Sequence, residues 1–206
     1  MKNFAKVLGA VLVLSLILPV VGGAQDKEKS EGNVVSDAKA LAAAAKVTMA
    51  AALDKALKAA PGTALAAELE QEENTLIFTF DILPKLTSKE ITEIHVDAKT
   101  GAVIKAAEET EKEEAEGKEA EEAEGAEEPS IADMQSMAKM AKVTMAAALR
   151  TALKAAPGTV IVVELENEDN ALIFSFDILP SPSATEITEI HVDAKTGLVI
   201  KTEKEK

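Results

Sequence analysis

Residues 46–105 lie over residues 142–201 without a gap at an offset of 96, and about 44 of the 60 aligned positions are identical. A tandem duplication this close imposes one fold on both copies. VTMAAAL, ALKAAPGT, FDILP and EITEIHVDAKTG recur unchanged, whereas 85–89 and 181–185 differ at every aligned position. A segment that varies freely between matching copies is an exposed loop. A copy of this length is close to the smallest unit that folds alone. With no cysteine in the chain, apolar burial and hydrogen bonds must hold each copy together.

Each copy reads as an α+β unit, a helix followed by a three- to four-stranded antiparallel sheet. Thr48 and Thr144 suit N-caps, the Ala- and Leu-rich runs behind them favour helix, and Pro-Gly at 61–62 and 157–158 stops it. Met49, Leu53 and Leu57 form the apolar stripe. Residues 36–46 and 130–141 add further helical turns, the second opening on a Ser130/Asp133 capping box. The period then changes to two. Leu65, Ala67 and Leu69 alternate with Glu68 and Glu70, and after a turn at Asn74 the next strand places Leu76, Phe78, Phe80 and Ile82 on one face. Phe174 and Phe176 are the counterparts in the second copy. A third strand turns Ile94 and Val96 inward, and Asp-Ala-Lys-Thr-Gly, with Gly101 at positive φ, leads into a last strand.

The remaining segments differ in composition. Lys2 and Lys6 precede an apolar run at 7–18, then Pro19 and the small residues Gly22 and Ala24, so a secretory signal peptide cleaved after Ala24 is expected. The run is shorter than the roughly 18–20 residues that span a bilayer. No cysteine follows it, so a lipoprotein anchor is not expected. Residues 106–128 hold twelve Glu and two Lys and read as an acidic, disordered linker. The chain therefore divides into a signal peptide at 1–24, a first domain at 36–105, the linker at 106–129, a second domain at 130–201 and a charged tail at 202–206. Because the linker offers no apolar surface, the two copies are expected to fold independently.

The string ALKAAPGT, the alternating strands, F-x-F-x-I and above all V-D-A-x-T-G-x-V at 96–103 and 192–199 closely resemble the PepSY domain. Phe78 and Phe174 stand where that family usually has Tyr. The resemblance implies protease inhibition or protein binding rather than catalysis. Since no protease domain follows, action in trans is expected.

Composition and spacing point away from chemistry. The net charge of -14 repels nucleic acid and anionic lipid, and five Phe with no Trp or Tyr leave little surface for stacking bases. Glu93, His95 and Asp97, repeated as Glu189, His191 and Asp193, share a strand face and form the sharpest constellation that could bind a metal or exchange protons. Same-face neighbours lie about 7 Å apart along a strand, and nothing nearby supplies a fourth ligand. The solvated face of an amphipathic strand is the simpler reading, and Asp97 is expected to bind the turn backbone. No catalytic, cofactor-binding or metal-ligating residues are therefore assigned, and no cofactor is expected. The expected function is an exported, non-enzymatic protein-binding module, an inhibitor or regulator of a secreted or envelope peptidase. The alternative is a low-affinity cation-binding acidic envelope protein. The expected partner is an exported protein or peptidase, with neither nucleic acid nor stable membrane insertion after signal cleavage.

Overall fold

The computed structural model describes residues 34–110 and 129–205. The expected signal peptide at 1–24 and residues 111–128 of the linker lie outside the described residues. The first copy runs α1 (Val34–Ala44), α2 (Met49–Ala59), β1 (Thr63–Glu72), β2 (Thr75–Leu83), β3 (Glu90–Asp97) and β4 (Val103–Thr110). The second repeats it as α3 (Ile131–Met140), α4 (Met145–Ala155), β5 (Thr159–Glu168), β6 (Ala171–Leu179), β7 (Ile187–Asp193) and β8 (Val199–Glu205). Each copy is thus the α+β unit expected.

Local chemistry sets the element ends. The Thr48 and Thr144 hydroxyls accept from the Ala51 and Ala147 amides, and Ser130 and Asp133 form a complete capping box. At the strand hairpins the backbone enters the left-handed region at Glu73 in one copy and at Asp169 and Asn170 in the other. Gly101 and Gly197, both at φ 74°, turn the chain into the last strands. Gly62 has a different reason to be glycine. A Cβ there would sit 2.5 Å from the Leu83 carbonyl oxygen and 2.7 Å from Ile82 Cγ2, so the chain can lie this close to β2 only without a side chain. Asparagine should therefore rescue one site and not the other. In urea titrations Gly101→Val is expected to cost more than about 1 kcal/mol and Gly101→Asn much less, because Asn tolerates this backbone region. Gly62→Ala and Gly62→Asn should each cost about 1–3 kcal/mol through forced displacement of β2. Equal behaviour of Asn at both positions would contradict this reading.

The two sheets are one. Strand order is β4-β3-β2-β1-β5-β6-β7-β8, antiparallel throughout, with β1 and β5 paired as Ala66↔Glu164, Ala67↔Val163 and Glu68↔Val162. Ala67 and Val163 are the same position in the two copies, so the seam has a pseudo-two-fold axis between them. The helices reinforce it, because α1 packs against β5 and β6 of the second copy while α3 packs against β1 of the first. Gln135 of α3 also donates to the Ser88 carbonyl oxygen. Phe78, Phe80, Phe174 and Phe176 are completely buried in a single core with Leu53, Leu149, Val35 and Ile131.

Two expectations change. The copies do not form separate cores, because edge strands and first helices are shared across the seam, an interaction that does not involve the linker. The strands also run beyond the boundaries drawn from composition. Residues 106–110 pair with β3, as Ile94↔Ala106 and Glu90↔Thr110 show, and β8 continues to Glu205. Edge strands need backbone pairing on one side only and commonly carry charge, so a Glu-rich sequence is compatible with one.

Candidate functional site

Alternation places most of the apolar side chains of the strands against the helices and leaves a largely polar face on the other side of the sheet, where Ile77 and Ile173 are buried apart from the helix-side core. On that face β3 presents Glu93, His95 and Asp97 together, as the spacing predicts, but they do not act as a set. The Asp97 carboxylate is occupied by its own turn, accepting from the Thr100 amide at 2.6 Å, the Thr100 hydroxyl at 2.8 Å and the Lys99 amide at 3.0 Å. Those Thr100 bonds hold its carboxyl below the usual range, and Asp193 repeats the arrangement.

His95 is not on a solvated face. It is 4 % exposed, and its partner beyond Glu93 is one that spacing could not indicate, Glu72, which reaches over β2 from the end of β1. Nε2 lies 2.7 Å from Glu93 Oε1 and Nδ1 lies 3.0 Å from Glu72 Oε2. Each ring nitrogen thus meets one carboxylate oxygen. The hydrogen bond from His95 outweighs burial and, with Lys105 donating at 2.7 Å, brings the Glu93 carboxyl down to about 2. In the second copy His191 Nδ1 is 3.0 Å from Glu168, while Glu189 approaches Nε2 at 3.1 Å without hydrogen-bond geometry. The histidines therefore tie strands together across the polar face. His95→Ala is expected to cost about 1–3 kcal/mol in chemical unfolding, because it leaves two carboxylates without their shared partner. A loss below about 0.5 kcal/mol would return His95 to a solvated surface role.

Among the described residues no group of three or more His, Asp or Glu side chains is arranged to hold a metal ion. A cleft of about 250 Å³ opens where Leu57, Gly62 and Ala64 face Val143 and Met145, and the one ionisable group lining it is Lys142. Thr63 and Thr144 line it as well, and the Thr144 hydroxyl already accepts from the Ala147 amide at the start of α4.

Two other features were not expected from the sequence. The seam is lined on the polar face by carboxylates. Burial, then Glu70, Glu164 and Asp81, pushes Glu68 up to about 7, and burial with Glu164 and Glu168 pushes Glu166 up to about 7. Among the described residues the sheet is also open at both ends. β4 and β8 are its outer strands, and each begins with exposed apolar residues, Val103 and Ile104 in one and Val199 and Ile200 in the other, the latter preceded by Leu198 at 65 % exposure. Ile104 and Ile200 are the extra residues of bulges, since Val96 pairs with Val103 and His95 with Lys105, and the second copy does the same.

Comparison with known proteins follows the repeat. The family model described as peptidase propeptide and YPEB domain, PepSY, matches residues 46–107 and 142–203. No curated protein matches the chain. Among solved structures the chain is similar to the Clostridium difficile 630 protein CD1622, at 21 % identity and a TM-score of 0.42, covering 78 % of this chain and 95 % of that one.

Proposed function

This chain belongs to the PepSY family, and we propose that it is an exported, non-enzymatic protein-binding module that regulates or inhibits a secreted or envelope peptidase. The observation that carries the proposal is the pair of open edges. A sheet edge presents unpaired backbone donors and acceptors, and addition of a strand from another chain is a recurring mode of recognition. Here each edge also begins with an apolar ledge of the kind that fills a partner's side-chain pockets. Eight strands at about 4.8 Å spacing set the two edges roughly 34 Å apart, so bivalent engagement relies on a fixed sheet rather than on the reach of a tether.

The reading is supported further by what the polar face lacks, since its histidines are committed to Glu72, Glu93 and Glu168 and its turn aspartates to their own backbone. To test it, the protein lacking residues 1–24 is immobilised, exposed to the native exported proteins, and assayed at micromolar concentration against exported peptidase activity. Slowed proteolysis that is relieved by Ile104→Lys with Ile200→Lys is the expected result. No slowing together with no enriched partner would overturn the proposal.

A further inference from the structure

The seam that joins the copies is short and oddly charged. β1 and β5 pair over three residue positions, against nine between β1 and β2. Glu68 stands opposite Val162 and Glu164 opposite Ala66, which makes the two carboxylates diagonal neighbours on one face, about 7–8 Å apart at the backbone. Like charges in this relation oppose pairing. The groups that face them do not compensate. Glu70 lies on the same strand as Glu68, Asp81 on β2, Glu166 and Glu168 on β5, Asp177 on β6, and Glu189 with His191 on β7. Of the lysines on this face, Lys105 is bonded to Glu93, and Lys201 is held by Glu168 and Glu203. Between the copies Ala66 and Ala67 have become Val162 and Val163, while Glu68 and Glu164 are the same residue.

We propose that this seam is a pH-responsive joint, in which ionised Glu68 and Glu164 loosen the pairing of β1 with β5 and their protonation closes it. The direction follows from the surroundings. Burial raises the carboxyls of Glu68 and Glu164 above their ordinary range, and neighbouring carboxylates add to the effect. The folded seam therefore keeps protons that the separated strands release, and pairing weakens as pH rises through that interval. Opening is local, because the helix side of the seam, where α1 meets β5 and α3 meets β1, carries no such charges and holds the halves in place.

Amide hydrogen exchange on the full chain tests the joint. After correction for intrinsic rates, protection at residues 66–68 and 162–164 should fall by about tenfold or more between about pH 5 and pH 8 relative to Phe78, Phe80, Phe174 and Phe176 in the neighbouring strands. Glu68→Gln with Glu164→Gln removes the charges without changing side-chain size and should leave seam protection flat across the range. Seam amides that follow β2 and β6 at every pH would overturn the proposal. So would a pH-dependent fall that persists in the double variant.

Discussion

Phe80→Ala should destabilise both copies of the repeat, not only the one that carries it. Phe80 is fully buried, pairs with Ala67 on β1 and Ile94 on β3, and Ala67 pairs in turn with Val163 of the second copy. Removing a buried phenyl ring costs about 3–5 kcal/mol through lost transfer energy and the cavity left behind. In a core shared across a seam that loss lowers the midpoint of both halves together, so strand probes in β6 and β7 should report it as fully as those in β2 and β3. Phe176→Ala should act the same way in reverse. Leu198→Ser, at an exposed position, should fall within about 0.5 kcal/mol of the parent protein. A Phe80→Ala protein whose second copy unfolds at its original midpoint would show that the core is divided.

Stability should be greatest near pH 5 and decline on both sides. Glu68 and Glu166 have folded pKa values of about 7 against an ordinary 4.5, so the unfolded chain loses these protons first as pH rises. Their contribution is lost progressively between those values. Glu93 behaves oppositely. With its carboxyl at about 2, it stabilises the fold above the ordinary carboxylate range, and that contribution disappears as pH falls from 4.5 toward 2. One pKa unit corresponds to about 1.4 kcal/mol, but Glu68 and Glu166 are partly open to solvent, which screens the effect. A combined loss of roughly 2–4 kcal/mol between pH 5 and pH 8 is a reasonable scale. Urea midpoints measured across this range should show the maximum, with Glu68→Gln flattening the alkaline limb and Glu93→Gln the acidic one. A maximum above pH 7 would contradict the assignment.

Local structure was legible because its causes are local. A threonine before an alanine-rich run, Pro-Gly at its end, alternation through Phe78 and Phe80, and Asp-Ala-Lys-Thr-Gly before the last strand each act within a few residues. The seam depends on a contact nearly a hundred residues away, yet the sequence contains a clue to it. Ala64 to Ala67 and Val160 to Val163 are continuous apolar runs rather than alternating ones, the pattern of a strand covered on both faces and hence interior to a sheet. Burial of His95 left no comparable signal. Its cover comes from Glu72, two strands away, and strand alternation alone places an odd-numbered residue of β3 on the polar side.

Differential scanning calorimetry of the intact protein bears most directly on whether two repeats have become one cooperative structure. A single transition is expected, with calorimetric and van't Hoff enthalpies in a ratio of about one. Two resolved transitions, or a calorimetric enthalpy about twice the van't Hoff value, would mean that the copies melt separately and that the eight-stranded sheet is not the cooperative unit.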